Sequence, residues 1–286
     1  MTASVIGVIG GSGLYEIDGV EVIAQHDVET PFGAPSDSVV EGLYEGTRLL
    51  FLPRHGRGHR FTPSEVNYRA NIWALKSLGC TDVLSVSAVG SMRENIAPGH
   101  VVLPDQFIDR TVGRERTFFG DGLVAHVAFA DPVSERVRSA LRDACERVGV
   151  THHVDGSYVC IEGPQFSTRA ESDLFRTWPR VVVIGMTNMP EARLAREAEL
   201  PYATLALVTD YDCWHEGHDD VTVEAVMTVM RSNVKAAKAV ILELAKQPPE
   251  GPCPSQNALQ HAVMTQANLI PEQTEHKLSL LLSKYR

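Results

Sequence analysis

Little in this chain offers a covalent staple or a membrane anchor. Its five cysteines, Cys80, Cys145, Cys160, Cys213 and Cys253, are odd in number, scattered and never in a CxxC pair. That spacing speaks against both a disulfide framework and a zinc ribbon. No apolar stretch nears the ~20 residues that span a bilayer, and mean hydropathy is −0.08. Positive charge is in deficit, with 26 Lys and Arg against 36 Asp and Glu for a net charge of −10. The clustered basic face of a nucleic-acid binder is therefore not expected. The opening MTASVIGVIGGSG lacks a basic n-region and reads as a strand rather than a secretion signal. The expectation is a cytoplasmic protein with free thiols, with neither nucleic acid nor membrane as a partner.

What is present is an ordinary globular composition, 44% hydrophobic and 22% charged over 286 residues. A chain this long can bury roughly three quarters of its unfolded surface in one core. Short β-branched runs alternate with amphipathic segments. Val5–Ile9, Arg48–Pro53, Val83–Val89, Tyr158–Ile161, Val181–Ile184 and Ala203–Thr209 read as strands covered on both faces. In TPSEVNYRANIWALKSLG the spacing predicts a helix capped by Thr62, with Pro63 first, Glu65 completing a capping box and Gly79 ending it. A second helix is expected to start at Asp131–Pro132 and stop at Gly149, and a longer one to run over Val221–Lys246. The Pro-rich segment Pro248–Ser255 precedes two more helical stretches. The pattern is α/β, a single domain with a helical C-terminal extension. Residues 1–247 form the domain, and 248–286 the Pro-rich linker and extension.

Several segments carry chemistry. GVIGGSG, Gly7–Gly13, follows a strand and can form an anion nest with the Ser12 hydroxyl, or a plain turn. It is neither GxGxxG nor a Walker A loop, so dinucleotide and nucleoside-triphosphate readings lose their main support. In FLPRHGRGHRFTP, Arg54, His55, Arg57, His59 and Arg60 crowd into seven residues of an acidic protein. Such a cluster suits an anion, since Arg offers a bidentate fork. A solvated loop and a His55/His59 metal pair are the alternatives, and Gly56 and Gly58 argue against the helix that a metal pair needs. SVSAVGSM, Ser85–Met92, places small hydroxyl residues at a strand's carboxyl end, and EGPQFSTRAES sets Phe166 and Ser167 between a strand and a helix. Asp210 and Asp212 in TDYDCW directly follow an apolar strand, where unpaired carboxylates are costly. A metal or a purine amine and ring nitrogen could each satisfy them.

Taken together, GVIGGSGLY, PRHGRGH, SVSAVGS, EGPQFSTRAES, IGMTNMPEARLAREA and TDYDCW resemble, in order, the trimeric purine nucleoside phosphorylase family. The resemblance implies a nucleoside-phosphorylase-like fold, α/β with a mixed central sheet flanked by helices, in an enzyme that cleaves a nucleoside at C1′ with inorganic phosphate. It implies phosphate contacts from Ser12, Arg54, His55, Ser87, Ala88 and Thr187, with Met186 under the ribose. Phe166, Ser167, Asp210 and Asp212 would face the purine, and Asp210 would assist its departure by protonating or hydrogen-bonding N7. Relatives that take 6-oxopurines tend to carry Glu at the position of Ser167 and Asn at that of Asp210, so this chain points to 6-aminopurine. Val223, Val226 and Met227 would make an apolar 5′ pocket, joined by His126 of a neighbouring subunit. Leu280 or Leu281 of the tail would reach across in the same way. The implied substrate is S-methyl-5′-thioadenosine, and the alternative is a 6-oxopurine nucleoside or methylthioinosine. Gly185 leans towards that alternative, because animal members of the methylthioadenosine group carry Asn there. No metal or organic cofactor is implied, phosphate being a substrate. A shared site implies a homotrimer or a dimer of trimers, with the extension packing on the trimer.

Overall fold

The computed structural model describes residues 4–11, 13–14, 17–215 and 223–286. The buried apolar run Val5–Gly10 forms β1. A meander follows, of β2 (Glu21–His26), β3 (Val39–Tyr44) and β4 (Thr47–Pro53), and then helix α1 (Tyr68–Ser77). Next come β5 (Asp82–Ser91), β6 (Val101–Leu103), β7 (Gln106–Asp109), α2 (Glu135–Val148), β8 (His152–Val154) and β9 (Ser157–Cys160). Helix α3 (Arg169–Thr177), β10 (Val181–Gly185), α4 (Asn188–Glu197), β11 (Tyr202–Asp210) and α5 (Val223–Lys246) complete the body. The extension carries the short helices α6 (Glu272–Lys277) and α7 (Ser279–Leu282).

The sheet is mixed, as the resemblance implied. β4, β1, β5 and β11 run parallel, β2 and β3 add an antiparallel edge, and β10 lies antiparallel to β5. The relationship that matters most is on β5. Along one edge it pairs Asp82–Ser85 with β1 and Gly90–Ser91 with β10, leaving 86–89 unpaired on that side. Its other edge is paired with β11 from Val83 to Gly90. The sheet therefore parts beside 86–89, where strand order switches and where open α/β sheets bind ligands.

Both faces are covered. Val137, Leu141, Ala237, Ile241 and Leu244 of α2 and α5 pack on one face. Ile72 and Leu75 of α1 and Ala192 and Leu194 of α4 pack on the other. Leu259, Ile270, Leu278, Leu281 and Leu282 of the extension join that second cluster, so the tail buries its apolar stripe on its own chain. Leu281 is thereby used internally, while Leu280 is only partly buried.

Two helix starts differ from the sequence expectation. Thr62 Oγ1 does donate to Glu65 Oε2 at 2.8 Å, but this pair closes a turn, and α1 begins five residues later than a Pro63 start. Asn67 is its cap, with Oδ1 accepting from Ala70 N at 3.1 Å. α2 is capped by Ser134 rather than Asp131, because only the Ser134 hydroxyl reaches a first-turn amide, that of Val137. Gly149 ends it at φ +77° as expected. Among the described residues no helix is long and apolar enough to cross a membrane.

Candidate active site

A cleft of about 640 Å³ opens where the sheet parts. Strand ends deliver most of its polar wall: Gly11 after β1, Arg54 and His55 after β4, Ser87 and Ala88 on β5, Met186 and Thr187 after β10, and Asp210 and Asp212 from β11. Phe166, Ser167, Val226 and Met227 close it, so the described candidates converge, with one exception. His126 is exposed and does not line its own chain's cleft, and its amide donates to Ala262 O at 2.8 Å. Ser12 lies outside the described residues, as does the side chain of Val223.

At one end of the cleft, Ser87 Oγ lies 3.1 Å from Thr187 Oγ1. Thr187 occupies the N-cap position of α4, yet its hydroxyl caps no amide and is free to face the cleft. Arg54 is 2% exposed, held by Glu191 and by Val86 O, at 2.9 Å from Nη1, in the unpaired stretch of β5. One N–H of Nη1 is left for a ligand. His55 Nδ1 is 2.8 Å from Phe61 O, and since a carbonyl only accepts, Nδ1 carries the proton. Burial and the Arg54 charge push its pKa down to about 4, so at neutral pH Nε2 is a bare lone pair. The His59 ring stacks on His55 at 4.4 Å, and Arg60 also lines the rim while bonding Ser36 O. Arg57 turns away to Asp37, at 3.7 Å. No group of three or more His, Cys, Asp or Glu able to hold a metal occurs among the described residues.

At the other end, Asp210 Oδ1 accepts from Asp212 N at 2.8 Å and Oδ2 from Thr209 Oγ1 at 2.7 Å. Burial raises the pKa of both carboxyls, favouring a proton on them. Gly90 makes room for this pair, since a Cβ there would come within 2.8 Å of Asp210 Oδ1. Asp212 Oδ2 and Ser167 Oγ are buried without a hydrogen-bond partner, two polar atoms that a bound base could satisfy. Phe166 is 44% exposed and Met227 50% exposed at the mouth, so neither is core. Large apolar side chains left open beside orphaned polar atoms describe a site for a flat, partly polar small molecule.

Sequence reading missed several residues that build this cleft. Glu191 and Tyr158 lie behind it. Arg114, 7% exposed, donates to Met186 O, Met189 O and Glu162 O at 2.7, 2.6 and 2.6 Å, joining two walls. A buried Arg calls for a carboxylate, but no local pattern in the sequence says that Glu191 is the one. Gly185 also has a local explanation: a Cβ there would meet Tyr158 Oη at 2.0 Å. Its identity is tied to the tyrosine beneath it and needs no appeal to the base.

Known proteins give the same picture. Residues 5–246 match the family described as the phosphorylase superfamily. The chain is 56% identical to the S-methyl-5′-thioadenosine phosphorylase of Geobacter sulfurreducens, covering 98% of this chain and 99% of that one. It is 52% identical to that of Thermosynechococcus vestitus, covering 100% of both. Among solved structures, a methylthioadenosine phosphorylase from an antarctic soil metagenomic library superposes with a TM-score of 0.92 at 46% identity, over 99% of this chain and 100% of that one. The Schistosoma mansoni methylthioadenosine phosphorylase in complex with adenine gives 0.81 at 37% identity, over 98% of both chains. The chain belongs to the phosphorylase superfamily and, within it, to the S-methyl-5′-thioadenosine phosphorylase family.

Proposed function

We propose that this pentosyltransferase cleaves S-methyl-5′-thioadenosine with inorganic phosphate, giving adenine and 5-methylthioribose 1-phosphate. The observation that carries the reading is one cleft with two ends: hydroxyls and Arg54 at the first, a half-buried carboxyl of raised pKa, Asp210, at the second. Phosphate binds through Ser12, Arg54, His55, Ser87, Ala88 and Thr187, with the ribose over Met186. A phosphate oxygen attacks C1′, and the electrons of the C1′–N9 bond pass to the purine. Asp210 gives its proton to N7, so adenine leaves neutral and Asp210 remains as carboxylate. Asp212 and Ser167 bond the purine edge and Phe166 packs on its face.

Val226 and Met227, with Val223, surround the methylthio group, joined by His126 of a neighbouring subunit in a homotrimer. Phosphate is a co-substrate, and the step needs no cofactor. The deciding experiment is adenine release from methylthioadenosine with and without phosphate, with methylthioinosine run alongside. Phosphate-dependent release from the adenine compound is expected. Faster turnover of methylthioinosine would instead make the enzyme a 6-oxopurine phosphorylase, and release that ignores phosphate would make it a hydrolase.

A further inference from the structure

Tyr158 stands on β9 with 0% exposure and does not line the cleft. Its ring is fixed edge-on against Phe107, with centroids 5.9 Å apart, and its hydroxyl rises beneath Gly185 into space where a Cβ would lie 2.0 Å away. There Oη is 3.2 Å from Ser87 Oγ, which is 3.1 Å from Thr187 Oγ1. Three hydroxyls thus form a line that begins in the core and ends at the cleft wall. We propose that Tyr158 is a positioning residue for phosphate, donating to Ser87 Oγ so that the Ser87 and Thr187 protons both turn to the anion.

The argument follows from counting protons. Each hydroxyl has one proton to give and can accept from others. Burial raises the Tyr158 pKa and keeps its phenol protonated, and Ser87 Oγ at 3.2 Å is placed to receive that proton, with Thr187 also bonded to the phenol oxygen. Ser87 Oγ, so supplied, can direct its own proton to Ala88 O at 3.3 Å or to a bound anion. Without Tyr158 Oη, Ser87 Oγ draws its incoming bond from Thr187, and that donor is lost to phosphate. Hydrogen bonds in such a line also polarise one another, strengthening the terminal donors. Gly185 completes the device, because any side chain there would displace the tyrosine hydroxyl.

The proposal rests on the phosphorolysis reading, and the test separates the two. Tyr158→Phe keeps the ring and removes one oxygen, and its thermal unfolding is compared with the parent. KM for phosphate is expected to rise about 5-fold, the worth of one neutral hydrogen bond. KM for the nucleoside should stay within about 2-fold. In a Ser87→Ala background the same change should have a clearly smaller effect, since its main route runs through Ser87. An unchanged KM for phosphate, an equal rise in both KM values, or an undiminished effect in the Ser87→Ala background would overturn it. The stabilisation by added phosphate, read as a shift in Tm, reports the same coupling without turnover. A parent enzyme that needs no phosphate for turnover would remove the function while this binding readout still judges Tyr158.

Discussion

Glu191 grips Arg54 through both carboxylate oxygens, with Nε 2.8 Å from Oε2 and Nη2 3.0 Å from Oε1. Tyr202 Oη donates to the same carboxylate at 3.0 Å and accepts from Asn188 Nδ2 at 2.8 Å. Burial alone would favour a neutral guanidine, but the Glu191 charge outweighs it and raises the Arg54 pKa above its ordinary value. A buried pair of this kind is strongly destabilised when only one partner is removed. Glu191→Met should cost about 3–5 kcal/mol, read from the urea midpoint. The double change Arg54→Met/Glu191→Met should recover much of that stability while abolishing the response to phosphate. A double variant as unstable as the single would show that shape, not charge, sets the cost.

In the proposed mechanism Asp210 is protonated when the purine leaves. Burial raises its pKa, so kcat should fall as pH rises through that value and the proton is lost. Asp210→Asn keeps the shape and a donor but cannot transfer a proton, and should lower kcat by about 10²–10⁴-fold. Stopped-flow adenine release across pH would check both points. The variant's profile should lose its alkaline limb, and an unchanged limb would assign the titration to another group.

Much of this site is legible in the chain because the residues involved are anomalous where they stand. Arg54 and His55 are conspicuous as a basic cluster in an acidic protein, and Asp210 and Asp212 as two carboxylates ending an apolar strand. Their supports are not legible. Glu191 meets Arg54 across 137 positions, and Tyr158 meets Ser87 across 71, so no local pattern joins either pair. Gly185 misdirects for the same reason, since the atom that requires a glycine comes from another strand. The buried strands announce themselves by β-branched runs, whereas the edge strand Glu21–His26 is largely exposed and mixed in polarity, leaving periodicity nothing to detect. At Thr62–Glu65 the capping residues do bond each other, yet they close a turn on the cleft wall instead of starting α1. A local motif specified a local bond, and the tertiary fold decided its use.

His55 makes stability depend on pH. Its value of about 4 in the fold lies below the ordinary 6.5, so between the two the unfolded chain binds more protons. Stability from this group is complete above pH 6.5, declines with acid, and levels off below about 4, a change of roughly 3 kcal/mol. Glu197, pushed up to about 7, and Asp82, to about 6, act in the opposite sense, losing stability as pH rises through those values. The His55 share is therefore isolated by difference. His55→Asn should flatten the acid limb of urea midpoints between pH 6.5 and 4 relative to the parent, and parallel curves would mean that His55 is protonated in the fold.

The proposed base choice is tested most sharply at Ser167. Its Oγ is buried at the cleft with no partner, and it is free either to donate or to accept. Adenine has no proton at N1 and needs a donor, whereas a 6-oxopurine carries N1–H and needs an acceptor. Ser167→Glu replaces a hydroxyl that can donate by a carboxylate that cannot. The adenine nucleoside would then leave that carboxylate unpaired, while the 6-oxo nucleoside would satisfy it. The kcat/KM ratio of methylthioadenosine to methylthioinosine should fall by about 100-fold or more, as it does when a buried polar group loses its only partner. Pairing the change with Asp210→Asn should carry the ratio further in the same direction, because the amide offers two N–H donors to the N7 and O6 acceptors of a 6-oxopurine, where a carboxyl offers one at most. An unchanged ratio in the single variant would place the discrimination on Asp212, whose Oδ2 is the other orphaned polar atom at this end of the cleft.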